Sequence, residues 1–256
     1  MDTVTLGPDK SRKLDLEEVA ELRKISGQVN WVATQSRPDA AFDSCYIGNS
    51  LKSATVKNVK ETNKVIRRLK SEDVSLLFPS TFDFGSCEIV TFCDSGFANL
   101  PDCGSQEGVI TFLVDQNGCY CVVAWYSKRI KRVVNSSLAA ECLAAVDAAE
   151  TSILLRAKLQ ELLCLVDRTI KISILSDSKS LVDNVHSSTS VDNKRLQIDV
   201  AILREMIHKG EISQFRWIST KSQVANALTK QGTSMDYLLR ILRCQLRYEH
   251  SSGVFI

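Results

Sequence analysis

Two segments of the chain after residue 85 have the hydrophobic pattern of buried strands, and each of them leads into an aspartate. In the segment Glu88–Asp94, β-branched and apolar residues occupy both alternating faces, and Ser95 and Gly96 follow at once. The segment Ile170–Ser176 alternates in a similar way, and Asp177 follows it. Strands that are apolar on both faces lie inside a sheet, under helices. The pattern therefore predicts an α/β domain in which two strands each present an acid at the carboxyl end.

Between these strands the pattern predicts a hairpin and then a long helix. Asn117-Gly118 separates two alternating runs, which is a strong signal for a hairpin. Ser136 is a candidate cap for a helix that reaches about residue 163. Glu141 lies on the same alanine-rich face of that helix as Ala145 and Ala148. A surface glutamate is the usual case, but this helical phase predicts burial, and a bound cation would offset the cost of burying a carboxylate.

The three acids are expected to converge. Strands that are joined through a helical crossover are usually parallel neighbours, so Asp94 and Asp177 should lie side by side at one edge of the sheet. Glu141 would reach the same edge from the crossover helix. Oxygen ligands of this kind suit Mg²⁺, and a pair of such ions can promote hydrolysis of a phosphodiester. We therefore expect a site for two Mg²⁺ ions, with Mn²⁺ as a substitute.

The first part of the chain is predicted to be helical and the last part to be a helix with a tail. Asp15 and Glu18 form a capping box for the first helix, and Pro38 begins a second. A loop near residues 79–85 marks a boundary. The predicted organisation is a helical segment at 1–84, an α/β domain at 85–232, and a C-terminal helix and tail at 233–256.

The composition limits the classes of protein to which this chain can belong. The chain has 256 residues, 44% of them hydrophobic, and only 4 prolines, which is typical of a globular protein. It has no membrane-length apolar run, and its first ten residues lack an apolar signal region, so we expect a soluble intracellular protein with no membrane partner. The net charge is only +2, so nucleic-acid binding would need a local basic patch. Phosphate-binding loops, dinucleotide fingerprints and zinc-protease motifs are absent from the sequence.

A basic run after the second hairpin strand is the candidate patch. Its charged members precede the helix that carries Glu141, which would place them near phosphates of a bound substrate, and the alternative is a solvated loop. The candidate nucleic-acid contacts are Ser95, Lys128, Arg129, Lys131, Arg132 and Ser178. Trp125 and Trp217 fit strand positions and are interpreted as core residues.

Several motifs resemble a known family. The second half resembles the ribonuclease H domain of copia-type LTR-retrotransposon Pol polyproteins. The likeness lies in five motifs in the correct order: F-C-D-S-G-F-A (92–98), W-Y-S-K-R (125–129), S-S-L-A-A-E (136–141), L-S-D-S-K-S-L (175–181) and A-N-A-L-T-K (225–230). The first half resembles the thumb or connection end of the matching reverse transcriptase, through S-G-Q-V-N-W-V-A-T-Q-S-R-P-D-A-A-F (26–42).

The resemblance implies a ribonuclease H-like fold, a mixed five-stranded sheet with flanking helices, preceded by a small helical segment. It implies that Asp94 contacts both ions, that Glu141 is the helix acid and that Asp177 is the acid after the fourth strand. At the position of the family's fourth acid this chain has Asn226, which is uncharged, so we expect the second ion to bind more weakly. Asp199 also matches a family position and is interpreted as structural, with compensation for Asn226 as the alternative.

The leading hypothesis is a metal-dependent ribonuclease H that cuts the RNA strand of RNA–DNA hybrids, leaving a 3′ hydroxyl and a 5′ phosphate. A catalytically impaired nucleic-acid-binding remnant is the alternative, and a decayed fragment without a role is a third. The polymerase, integrase and protease signatures of the polyprotein are absent, so a C-terminal fragment or a domesticated remnant is expected. The expected partners are the hybrid and a reverse transcriptase from the same polyprotein. The expected location is the cytoplasm, in a virus-like particle if the element is active, or the nucleus.

Overall fold

Three helices precede an alternating series of strands and helices. The computed structural model describes residues 12–100, 102–164, 169–187 and 193–256. The helices are α1 (Leu16–Gln35), α2 (Ala41–Ser50), α3 (Val56–Ser71), α4 (Ser137–Leu162), α5 (Lys179–His186), α6 (Lys194–His208) and α7 (Asp236–Leu242). The strands are β1 (Glu88–Gly96), β2 (Gln106–Val114), β3 (Tyr120–Arg129), β4 (Ile172–Ser176), β5 (Gln214–Trp217), β6 (Tyr248–Glu249) and β7 (Val254–Phe255). Short 3-10 helices occupy Pro38–Ala40, Leu51–Ser53, Thr220–Ser222 and Val224–Leu228.

Five of the strands form one mixed sheet in the order β3-β2-β1-β4-β5. The pairs β3–β2 and β2–β1 are antiparallel, whereas the pairs β1–β4 and β4–β5 are parallel. The β2–β3 connection is the predicted hairpin, in which Gly118 has a φ of +75° that glycine adopts without strain. The predicted mixed five-stranded sheet with flanking helices, preceded by a small helical segment, is confirmed.

The sheet is buried on both faces, as the pattern of β1 predicts. Ile89 and Cys93 pack toward α4, α5 and α6, while Val90 and Phe92 pack toward α2, α7 and the 3-10 helix at 224–228. The polar Thr91 is satisfied inside the first layer, since its hydroxyl lies 2.7 Å from that of Ser152 on α4. This arrangement makes β1 the central strand of the domain, and the acid near its end is held rigidly.

A hydrogen bond ties the helical segment to the sheet, and a buried ion pair and a further hydrogen bond hold the helical segment together. The Trp125 indole N–H on β3 donates to the carbonyl of Ala33 on α1 at 2.7 Å. Arg37 and Asp39 form a buried ion pair at 2.8 Å, and the same arginine donates to the Leu69 carbonyl at the end of α3. The capping box predicted at the start of α1 is present. The division into segments 1–84, 85–232 and 233–256 stays a prediction.

The C-terminal segment packs against the face of the sheet that carries Val90 and Phe92. It carries the predicted helix α7 and also the two-stranded ribbon β6–β7, which the sequence pattern did not indicate. The Phe255 ring lies 4.6 Å from Tyr120, 4.9 Å from Phe112 and 5.8 Å from Phe92, centroid to centroid. None of the helices in the described part of the chain combines the length and apolar character of a membrane-spanning segment.

The aromatic contacts of Phe255 make the last residues part of the core. We expect Phe255→Ala to lower the free energy of unfolding by about 3–5 kcal/mol, because it removes a buried ring and leaves a cavity. The matched control is Ile256→Ala, which changes a side chain that is 65% exposed and should cost less than about 0.5 kcal/mol. Urea denaturation measures both values, and equal effects would contradict this packing.

Candidate metal centre

Three carboxylates from three different elements meet at one edge of the sheet. One carboxylate oxygen from each of Asp94, Glu141 and Asp177 lies within 4.8 Å of the other two. Asp94 is buried, and the other two are half-buried. This is the convergence that the strand ends and the helix phase predict. The catalytic role of these residues stays a prediction.

The two aspartates meet because β1 and β4 are parallel neighbours. Their register pairs Phe92 with Leu175, so the residues that follow these two run side by side beyond the ladder. The main chain of Asp177 is held further by Trp217 on β5, whose indole N–H donates to its carbonyl at 3.1 Å. Trp217 is 50% exposed, so its assignment to the core is wrong. It lies on an edge strand, where one face stays open to solvent.

Helix α4 delivers the third acid from its first turns. Ser136 caps the helix by accepting from the amide of Ala139 at 3.1 Å, which fixes the position of the N-terminus. Glu141 follows within the next turn and faces the sheet edge. Within the described residues, neither Ser95 Oγ nor Glu141 Oε2 makes a hydrogen bond.

A short segment at 223–230 closes the other side of the pocket. It lies so close to β2 that a Cβ on Gly108 would come within 2.7 Å of Leu228 Cβ, so only glycine fits there. Gln223 is buried and donates to the Cys93 carbonyl at 2.9 Å, and Thr229 donates its hydroxyl to the carboxylate of Asp94. The segment is therefore anchored directly to the end of β1.

Asn226 and Lys230 also lie on this segment, and of these two it is Lys230 that pairs with an acid of the cluster among the described residues. Lys230 Nζ lies 3.6 Å from Asp94 Oδ2 and donates to Asn226 Oδ1 at 2.9 Å. Asn226, the predicted fourth position, thus reaches the cluster through the lysine. Sequence reasoning missed Lys230, although its place after Leu228-Thr229 in the quoted motif was a signal that could have found it.

The electrostatics of the pocket favour the uptake of positive charge. Burial raises the pKa of Asp94 from 3.8 to about 6, while Lys230 and Thr229 act in the opposite direction. Burial, and after it the charge of Asp94, raises the pKa of Glu141 from 4.5 to about 8. The ionised forms are costly because the carboxylates are desolvated and repel one another. A cation or protons must offset that cost.

The donor set fits a hard divalent cation. All three donors are carboxylate oxygens, which Mg²⁺ and Mn²⁺ prefer, and they form the one cluster of this kind that the described ranges contain among His, Cys, Asp and Glu side chains. Glu141 Oε2 is buried without a hydrogen-bond partner in those ranges, so it has a lone pair left for an ion.

The predicted basic contacts are engaged with acids, except for one. Lys128 bridges Glu107 and Asp147 at 3.1 and 2.7 Å. Arg129 pairs with Asp102 at 2.5 Å. Lys131 is exposed and makes no ion pair within the part of the chain that the structure describes.

Arg132 is engaged as well, because it forms a two-pronged pair with Asp199. Asp199 is buried beside that arginine, which fits its structural interpretation. Ser178 stands at the N-cap position of α5 without a capping bond from its side chain, and its hydroxyl lies 3.5 Å from that of Ser180. The nucleic-acid role of all six predicted contacts stays a prediction.

Solved structures of ribonucleases H are similar to this chain. Ribonuclease H1 from the halophilic archaeon Halobacterium salinarum NRC-1 is 16% identical, with a TM-score of 0.38, over 56% of this chain and 94% of that one. LC11-RNase H1, isolated from compost by a metagenomic approach and solved with an RNA/DNA hybrid, is 18% identical, with a TM-score of 0.41 and the same coverage. The sheet of this chain is the mixed five-stranded sheet with flanking helices that the resemblance to ribonuclease H implies.

A viral protein is also similar to this chain. The prototype foamy virus protease–reverse transcriptase is 11% identical, with a TM-score of 0.34, over 77% of this chain and 29% of that one. No family model matches the chain, and no curated protein matches it. The finer assignment to copia-type elements therefore rests on the sequence motifs alone.

Added Mg²⁺ should stabilise the folded protein through the carboxylate cluster. A ligand that binds only the native state raises the free energy of unfolding, by about 2.7 kcal/mol at a hundred times its Kd. We expect this gain for the unchanged protein, and we expect Asp94→Asn or Asp177→Asn to lose most of it. Thermal unfolding with and without Mg²⁺ measures the difference.

The control for this measurement is Asp183→Asn on α5, which changes an exposed carboxylate outside the cluster and should keep the full gain. A gain that survives Asp94→Asn would place the ion elsewhere on the protein.

Proposed function

We propose that this chain is a metal-dependent ribonuclease H that hydrolyses the RNA strand of RNA–DNA hybrids. The observation that carries the proposal is the meeting of Asp94, Glu141 and Asp177 within 4.8 Å at the carboxyl edge of the sheet. A pocket of carboxylate oxygens suits a hard divalent cation, and such cations promote phosphodiester hydrolysis. The motif resemblance supplies the class of substrate.

In the proposed site, some residues would bind the metal and others position a metal-binding carboxylate. Asp94, Glu141 and Asp177 would hold Mg²⁺, which when bound neutralises charge on the phosphodiester and lowers the pKa of water. Thr229 and Lys230 hold the Asp94 carboxylate in place. Because these partners come from separate elements, the pocket is formed only in the folded domain and is preorganised for charge.

The polyprotein context is part of the proposal. The quoted motifs support a chain from the Pol polyprotein of a copia-type retrotransposon, in which residues 1–84 are the end of a reverse transcriptase. The hydrogen bond from the Trp125 indole to the Ala33 carbonyl on α1 supports a helical segment that belongs to the same unit as the α/β domain. A reverse transcriptase from the same polyprotein is the proposed protein partner, and the cytoplasm or nucleus is the proposed location.

Cleavage of a labelled RNA–DNA hybrid with Mg²⁺ or Mn²⁺ tests the activity. We expect the RNA strand to be cut, and we expect Asp94→Asn, Glu141→Gln and Asp177→Asn each to lower the rate at least about 100-fold, because each removes a ligand of the ion. The exposed variant Asp183→Asn should retain the rate. An uncut hybrid at high protein and Mn²⁺ concentrations would reject catalysis.

A second candidate function is a nucleic-acid-binding remnant without turnover. The observation that favours it is the uncharged Asn226, whose side-chain oxygen already accepts from Lys230 at 2.9 Å. Such a remnant would bind the hybrid in a salt-dependent manner and leave it intact. A decayed fragment would neither bind nor cut.

Hybrid binding should depend on Lys131 more than on lysines far from the pocket. We expect Lys131→Ala to weaken binding and to lower the slope of log K against log salt by about 1, because one phosphate contact is lost. Lys171→Ala is the matched control, since this exposed lysine precedes β4 at the opposite end of the sheet. Fluorescence anisotropy over a salt series measures both slopes. An unchanged slope for Lys131→Ala would remove this residue from the interface.

A further inference from the structure

We propose that the ammonium group of Lys230 supplies a fixed positive charge between Asp94 and Asn226, so that the carboxylate cluster holds one divalent cation and not two. This inference rests on the proposed function, because it concerns the same pocket. It assigns a charge-balancing role to a side chain that the four predicted site positions do not include.

The contacts of Lys230 place its charge inside the site. Its Nζ is within hydrogen-bond distance of Asn226 Oδ1, at 2.9 Å, and within ion-pair distance of Asp94 Oδ2, at 3.6 Å. The partner carboxylate is almost fully buried, whereas the lysine side chain is 46% exposed, so its stem reaches in from the solvent side. An ammonium group in this position screens Asp94 on the side that faces Asn226.

The orientation of the Asn226 amide fits this role. Its Nδ2 donates to the Thr220 carbonyl at 3.2 Å, and its Oδ1 accepts from Lys230. A single orientation of the amide satisfies both hydrogen bonds. The amide oxygen, which is the atom that could bind a metal, is therefore already bonded to Lys230. An aspartate at this position would instead turn one carboxylate oxygen toward the Thr220 carbonyl oxygen, which is repulsive.

The charges then balance with a single ion. When ionised, Asp94, Glu141 and Asp177 carry three negative charges, and Lys230 offsets one of them. One divalent cation neutralises the remainder. A second divalent cation would give the pocket a net positive charge beside a fixed ammonium group, which opposes its binding.

The number of bound Mn²⁺ ions tests this role. Isothermal titration calorimetry and the paramagnetic resonance signal of free Mn²⁺ both count ions without relying on activity. We expect one ion per chain for the unchanged protein and for Asn226→Asp, in which Lys230 pairs with the new carboxylate. We expect two ions for the double variant Lys230→Met with Asn226→Asp, and first-ion binding that is on the order of ten-fold tighter in Lys230→Met.

The matched control is Lys221→Met, which changes an exposed lysine in the 3-10 helix just before this segment and should leave both the count and the affinity unchanged. Circular dichroism checks that each variant folds, and Lys230→Gln with Asn226→Asp serves if the methionine variant does not. Two ions in the unchanged protein, or one ion in both folded double variants, would overturn the proposed role of Lys230. Neither outcome would overturn the proposed function. The absence of Mn²⁺ binding from every folded variant would overturn the proposed function together with this inference.

Discussion

The free-energy cost of holding carboxylates together away from water is the constraint on which this site depends. Asp94 is buried at the end of the central strand, and Glu141 and Asp177 lie against it. Burial together with mutual repulsion raises the pKa of Glu141 to about 8. A protein has no structural need for such a cluster, because apolar residues would fill the same space at lower cost. A bound cation gives the arrangement a physical reason.

The surrounding fold provides what this cluster requires. The parallel pair β1–β4 sets the two aspartates side by side, and the capped start of α4 brings the glutamate. Gly108 allows the segment at 223–230 to approach within contact distance, which brings Thr229 and Lys230 to the same carboxylate. Each of these elements is anchored in the core, so the acids cannot separate without disturbing the sheet. The rigidity of the scaffold thus maintains the electrostatic strain that a cation relieves.

The sequence predicted the parts of this arrangement that follow from periodicity. Alternation of apolar residues identified β1 and β4, and helical phase identified the buried face of α4 that carries Glu141. Lys230 could not be found in this way, because its position depends on how a short irregular segment crosses the end of β1. Trp217 was misplaced for a related reason: alternation indicates a strand but does not tell an edge strand from a central one. The ribbon that carries Phe255 was missed because strands of two residues leave no periodic pattern.

The location of a bound ion tests the central claim most directly. Crystals soaked in Mn²⁺ can be measured at a wavelength at which manganese scatters anomalously. The account predicts an anomalous peak in contact with carboxylate oxygens of Asp94, Glu141 and Asp177. A well-ordered pocket without a peak at saturating Mn²⁺, or a peak bound only elsewhere on the protein, would contradict it.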